Sequence, residues 1–256
     1  MIQYEIINGV GKITLNRPDK YHSFVREMAL ELQGTLDKCN ENKAVRAILI
    51  TATGKAFCAG QDLGEATDPN GPELTQIVQE HYNPIIRKIR NIEKPIVAAV
   101  NGVAAGAGAS IALACDIVVA TEKASFIQAF SKIGLIPDSA GTFFLPRLVG
   151  MQRAAALMMT AEPVCAKDAV DMGMIYKSYS TEDFESESWK LVSKLAVMPT
   201  KGLGLTKRLL NASYSNDLEE QLTMEDECQT IAGNSADFKE GVQAFLEKRK
   251  PTFKGE

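Results

Sequence analysis

Apolar and polar residues alternate in two short runs at the start of the chain, "YEII" and "KITLN", around "NGVG". The pattern predicts a β-hairpin, because asparagine and glycine tolerate the backbone of a tight turn. A helical period follows "NRPDKYHSF", with Met28, Leu30, Leu32 and Leu36 on its apolar side. "AVRAILITATG", "KPIVAAVNG" and "DIVVAT" are three β-rich apolar runs, read as strands. A small-residue helix is predicted between the last two. Residues 64–73, "GEATDPNGPE", predict a mobile surface loop, and 74–92 a helix.

Strand and helix therefore alternate through the first two-thirds, which predicts an α/β fold with largely parallel pairing. From about residue 151 strand signals fade. Helical patterns run over 151–160, 166–171, 183–197, 200–213, 217–231 and 236–247. The shift predicts an α/β core over 1–195 and a helical C-terminal region over 196–256.

Composition adds exclusions. Of 256 residues, 45% are hydrophobic and 23% charged, enough to bury a sizeable core. A net charge of −4 gives no nucleic-acid footprint. The five cysteines are scattered without a CxxC pair, and only His22 and His81 are available as imidazoles, so neither a disulfide framework nor a metal site is expected. The N-terminus has no leader pattern and no apolar run could span a membrane, so a cytoplasmic location is expected.

Candidate chemistry sits in two glycine-rich turns that each follow a strand. They are "AFCAGQDLGE" (56–65) and "NGVAAGAGASIALACDI" (101–117). Small residues let a ligand approach the backbone, and a helix starting near Ala107 would point free N–H groups outward. Close helix packing explains "GAGAS" equally well. The spacing is not GxGxxG, and no GxxxxGK[ST] occurs.

These segments carry a resemblance. "LNRPDKYHSF", "GKAFCAGQDL", "KPIVAAVNGVAAGAGASIALACDIVVAT", "GLIPDSAGTFFLPRLVG" and "FLEKRKPTF" stand in the order of the enoyl-CoA hydratase/isomerase (crotonase) superfamily, across essentially the whole chain. The resemblance implies a ββα spiral core with a helical C-terminal trimerisation region, as a homotrimer or pair of trimers. It implies an acyl-CoA thioester as substrate, with CoA part of that substrate and no separate cofactor. The implied oxyanion hole is the pair of backbone N–H groups of Gln61 and Ala107, preorganised where charge develops on the thioester oxygen.

Hydratases of this superfamily use two glutamates, and the matching positions here are Ser110 and Phe130. One acid remains, Asp138, where isomerase and dehalogenase relatives carry theirs. A single base suffices to move a proton along an enolate. The neighbours Ile133, Leu135, Ile136, Phe143 and Phe144 suggest a desolvated, strengthened base. The plain alternative is a turn residue after Pro137. Within the superfamily the motifs are most similar to isomerases of ring-epoxidised phenylacetyl-CoA, although Ser139, Ala140, Phe143 and Phe144 depart from that pattern. A hydratase, a thioester hydrolase and a non-catalytic acyl-CoA-binding module stay open as rivals.

The resemblance also implies CoA contacts at Lys20, Ala59, Asp62, Leu63, Phe245 and Lys248, and an acyl-pocket contact at Tyr82. Each has a plainer reading. Asp62 can cap the next turn, Tyr82 can lie on an ordinary helix face, and Lys20 can be a solvated charge. Phe245 and Lys248 can belong to a soluble tail. His22 and His81 are read as loop-packing or solvent-facing, Cys58 as a small buried residue, and Trp189 as core or interface.

Overall fold

The computed structural model describes residues 1–256. The hairpin forms as expected. Strands β1 (Ile2–Ile7) and β2 (Val10–Leu15) pair antiparallel, and Asn8 and Gly9 take the positive φ values, 49° and 84°, that a tight two-residue turn requires. The later strands are β3 (Ala47–Ala52), β4 (Ala56–Cys58), β5 (Ile96–Val100), β6 (Val103–Ala105), β7 (Ile117–Thr121), β8 (Ser125–Ile127), β9 (Val164–Cys165) and β10 (Lys177–Tyr179).

They build two sheets. The longer has the order β1-β2-β3-β5-β7-β10, parallel beyond the hairpin, and the shorter is β4-β6-β8-β9, antiparallel only at β8/β9. The chain crosses from long sheet to short sheet at β3/β4, β5/β6 and β7/β8, with helical segments before the next turn. This is the ββα spiral that the resemblance implies. Strand β5 is buried on both faces. Ile96, Ala98 and Val100 join the main core, while Val97 and Ala99 face a smaller core under the Phe184–Ala196 helix. Burial on both sides is why "PIVAAV" reads as a continuous apolar run rather than an alternating one.

The short sheet escaped the sequence reading. Its strands have two or three residues each, too few for any period to show. Strand β10 was missed for the same reason. Leu30 is also corrected. It is 43% exposed, because the buried stripe of the Arg26–Glu41 helix runs through Met28, Ala29, Leu32, Thr35, Leu36 and Cys39. The expected loop at 64–73 begins as a helical turn, Leu63–Ala66. The expected helix over 74–92 contains a wider π-helical turn at Ile77–Tyr82 before Asn83–Asn91.

The late helices fall where the periodicity put them: Met151–Thr160, Ala166–Asp171, Phe184–Ala196, Thr200–Ala212, Leu218–Gly233 and Ala236–Leu246. Thr200–Ala212 is anchored on the spiral by Lys207. Its ammonium donates to the Ile89 carbonyl at 2.6 Å and pairs with Asp116 at 2.8 Å. Burial pulls the Lys207 pKa down, and Asp116 opposes that pull. No helix is long and apolar enough to cross a membrane.

Candidate active site

Strand β4 delivers the first turn. Its backbone donors are nearly all engaged: Ala59 N–H donates to Tyr21 O (2.9 Å), Gly60 N–H to Cys58 Sγ (3.4 Å) and Asp62 N–H to Phe24 O (2.9 Å). The exception is Gln61, whose N–H has no acceptor within the protein. Strand β6 delivers the second turn, and the helix Ala107–Leu113 starts directly after Gly106. As a first-turn residue, Ala107 likewise has an N–H without a partner.

Glycines bring the two turns together. A Cβ on Gly108 would lie 2.4 Å from Cys58 O, so only glycine allows this approach. A Cβ on Gly60 would lie 3.3 Å from Ala107 N, so the turn that carries Gln61 packs directly against the start of this helix. The arrangement suits an oxygen that gains negative charge.

The side chains around Gln61 fix the turn. Tyr82 is fully buried at the end of the π-helical turn and donates its hydroxyl to Gln61 Oε1 at 2.8 Å. Gln61 Nε2 donates to Glu65 Oε2 at 2.8 Å. Asp62 caps Leu63–Ala66 by accepting from Gly64 N–H at 2.9 Å, and it pairs with Arg17 at 2.6 Å. Burial by itself would raise the Asp62 pKa, but Arg17 and the Gly64 N–H outweigh it and hold the carboxyl below its usual range.

Asp138 is treated differently. It follows Pro137, and the next two residues, Ser139 and Ala140, both take left-handed φ (51° and 58°) before the helix Gly141–Val149 begins. Its carboxylate accepts one side-chain hydrogen bond, from Ser139 Oγ at 2.8 Å, and it makes no ion pair. Burial pushes its pKa up, and the Ser139 hydroxyl partly offsets the rise. Of the five apolar neighbours expected to desolvate it, only Phe144 is itself buried, at 7%. Ile133, Leu135, Ile136 and Phe143 are exposed in the single chain, Ile136 at 80%. Tyr82 shares the acid's surroundings. Burial above all pushes the phenol well above its ordinary pKa, and the nearby Asp138 and Glu65 carboxylates push the same way.

The positions matching the hydratase acids lie in the same place. Ser110 is 1% exposed one helical turn beyond Ala107, and the Phe130 ring lies close to Gly106, 3.8 Å from where a Cβ there would sit. The fold thus gathers Gln61, Ala107, Asp138, Ser110, Phe130, Tyr82 and Asp62. Ala59 and Leu63 lie exposed on the first turn. Lys20 is exposed beside it, since its neighbour Tyr21 holds Ala59. Phe245 and Lys248 are not brought in by the single chain. The Ala236–Leu246 helix packs on Leu218–Gly233, and Phe245 is 83% exposed.

Both histidines are buried, which corrects any solvent-facing reading. His22 Nδ1 accepts from Arg17 N–H (2.9 Å), so its Nε2–H donates to Thr53 O (2.7 Å). His81 packs beside Arg26, with Nδ1 unpartnered. Cys58 is buried and its thiol is pushed up to about 12, the state of an inert thiol. Trp189 packs against the smaller core. The sequence reading missed Arg17 as the partner of Asp62, a pairing that no local pattern signals.

The sequence pattern described as Enoyl-CoA hydratase/isomerase matches residues 5–256. The 1,2-epoxyphenylacetyl-CoA isomerase of Escherichia coli (strain K12) is 45% identical over 250 residues, covering 96% of this chain and 95% of that protein. A Rhodobacter capsulatus protein named "Probable enoyl-CoA hydratase" is 44% identical over 254 residues, covering 99% and 98%. The crystal structure of an enoyl-CoA hydratase from Bacillus anthracis superposes with a TM-score of 0.92 at 32% identity, covering 100% of this chain and 99% of the other. Two sheets wound as a spiral, two unpartnered N–H groups on adjoining turns and matches of this length have one common explanation: the chain belongs to the enoyl-CoA hydratase/isomerase family.

Proposed function

We propose that this protein is an acyl-CoA isomerase in which Asp138 is the acid/base and the N–H groups of Gln61 and Ala107 hold the thioester oxygen. The Asp138 carboxylate takes a proton from the carbon next to the thioester carbonyl, and the electron pair moves onto the oxygen. The same proton, or one exchanged with solvent, then returns further along the conjugated enolate. No atom is gained or lost, and Asp138 ends as it began. The reaction class covers Δ3-to-Δ2 double-bond migration and, once the carbon–carbon bond shared by ring and epoxide of 1,2-epoxyphenylacetyl-CoA opens electrocyclically to a seven-membered oxepin, the proton shift that yields the oxepin-CoA isomer. The similarity to the Escherichia coli isomerase favours the second.

One observation carries the reading. Of three positions where an acid could serve, two hold Ser110 and Phe130, and only Asp138 has a carboxylate. Its pKa is raised and it keeps lone pairs free for a substrate proton. Assaying Δ3-enoyl-CoA and the ring-epoxide thioester with wild type and Asp138→Asn tests this. Isomer formation that collapses in the variant supports it, and full activity in the variant refutes the base. The similarity to the Rhodobacter capsulatus protein favours hydration as the second reading. It requires a hydroxyacyl-CoA as the main product. Assembly as a trimer or pair of trimers, with Phe245 and Lys248 reaching CoA on a neighbouring subunit, belongs to the same proposal.

A further inference from the structure

Tyr82 is fully buried, so its ring offers no surface to an acyl chain, yet its hydroxyl reaches the turn that carries Gln61. The direction of that bond is fixed. A Glu65 carboxylate oxygen only accepts, so Gln61 Nε2 faces it at 2.8 Å and Gln61 Oε1 faces the tyrosine. Tyr82 therefore donates, and the Gln61 side chain is held at both ends. The other Glu65 oxygen, Oε1, accepts from the Arg26 N–H at 2.9 Å. This ties the clamp to the start of the Arg26–Glu41 helix.

The Gln61 backbone is gripped as well. Phe24 bridges it as a parallel strand partner: Phe24 N–H donates to Gly60 O at 2.7 Å, and Asp62 N–H donates to Phe24 O at 2.9 Å. Those two groups point toward Phe24, so the intervening Gln61 N–H points to the opposite side, where no protein acceptor lies. The Tyr82 ring packs edge-on against Phe24, with centroids 5.9 Å apart. One residue thus supports both holds on the donor, Phe24 through its ring and Gln61 through its hydroxyl.

The π-helical turn is what places this residue. Pro84 has no N–H, so the Glu80 carbonyl four residues earlier lacks its α-helical donor. Gln33 takes that role, donating from Nε2 to Glu80 O at 2.7 Å and to His81 O at 3.1 Å. Arg26 pairs with the Glu80 carboxylate. Both anchors belong to the Arg26–Glu41 helix, which also holds Glu65. Wide turns of this kind are rare and frequently mark functional sites.

Resting on the isomerase reading above, we propose that Tyr82 is a positioning residue for the reaction: its hydroxyl holds the Gln61 side chain so that the Gln61 N–H is aimed at the thioester oxygen. It does so without touching the substrate. A misaimed donor costs most when that oxygen carries charge, so its loss falls on kcat rather than on KM.

Tyr82→Phe removes only the hydroxyl and keeps the ring against Phe24. Steady-state isomerisation of a Δ3-enoyl-CoA is measured in wild type, Tyr82→Phe, Gln61→Met and the double variant, with circular dichroism to check folding. Tyr82→Phe should lower kcat about 10-fold, the loss of one hydrogen bond, with KM little changed. Gln61→Met removes the acceptor instead and should lose kcat to a similar extent. In that background Tyr82→Phe should cost nothing further, because the bond it breaks is already gone. The infrared carbonyl stretch of bound, isotope-labelled hexanoyl-CoA, a saturated thioester, reads the donors directly. It should shift less to low frequency in Tyr82→Phe than in wild type. Independent losses in the double variant, a raised KM at unchanged kcat, or an unchanged kcat and carbonyl stretch would overturn the proposal. A wild type that forms no isomer would refute the reaction assigned above. The carbonyl stretch would then decide the role of Tyr82 alone: a smaller shift in Tyr82→Phe supports it, and an equal shift overturns it.

Discussion

Asp62 and Asp138 are the same side chain in two glycine-containing turns of one site, and the fold uses them in opposite ways. Asp62 accepts from Arg17, Gly64 and, at 3.3 Å, Ser23. Asp138 accepts a side-chain bond only from Ser139. The first carboxyl is held below its ordinary pKa, while burial pushes the second above it. A carboxylate with most of its lone pairs engaged fixes a backbone. One left mostly free, in a place that disfavours its charge, can take a proton. On the proposed reading, the contrast separates a structural acid from a reactive one without reference to its position in sequence.

The strongest way to break the contrast is to exchange each acid for its amide. Asp138→Asn should lower isomerase kcat by about 10²–10⁴, the usual worth of a positioned acid/base. Asp62→Asn should act mainly on stability and leave a measurable rate. Equal losses of kcat would erase the distinction.

Next in size is the backbone that both acids serve. Gly108→Ala places a Cβ 2.4 Å from Cys58 O and must push the two turns apart. With the Gln61 and Ala107 donors misaligned, kcat should fall by about 10²–10³ while the protein stays folded, as steady-state kinetics and circular dichroism will show.

Smaller effects sharpen the comparison through pH. Arg17→Ala leaves the Asp62 carboxylate short of its main partner and should cost about 1–3 kcal/mol in urea unfolding. Because the folded pKa of Asp62 is depressed, the stability it contributes is present above its unfolded value of about 3.9 and lost as pH falls through the folded one. The gap between wild type and Arg17→Ala should therefore close in acid. Asp138 has the opposite sign. Its folded pKa is raised, so its contribution is complete below about pH 3.9 and lost as pH rises through the folded value. Asp138→Asn should then be more stable than wild type at neutral pH, with the advantage vanishing in acid.

The smallest effect is Ser139→Ala. It removes the one side-chain hydrogen bond that favours the charged form of Asp138, so the acid limb of kcat/KM should move to higher pH. A limb that stays in place would mean that another group controls it.

Much of this arrangement was legible in sequence, for physical reasons that also explain the misses. The long strands and late helices bury one face or two, so their periods are written in the residues. The glycines of "CAGQD" and "GAGAS" mark where backbones touch, as Gly60 and Gly108 do. Asp138 stood out as the one acid among three expected positions. The short sheet left no period to read, because β4, β6 and β8 have three residues each. Arg17 lies 45 residues from Asp62, and the Tyr82–Gln61 bond spans 21, so neither pairing leaves a local trace. The apolar run around Asp138 does not reveal which of its members pack inward: Ile136 turns outward, while Phe144 is buried.

The central claim is that Asp138 removes the proton next to a thioester carbonyl whose oxygen rests on Gln61 and Ala107. Deuterium uptake at that carbon measures the step itself, independent of which product forms. An acyl-CoA incubated in D2O with wild type should gain deuterium there, and Asp138→Asn should slow the uptake by about 10² or more while still binding the thioester. Uptake by Asp138→Asn at the wild-type rate would contradict the account.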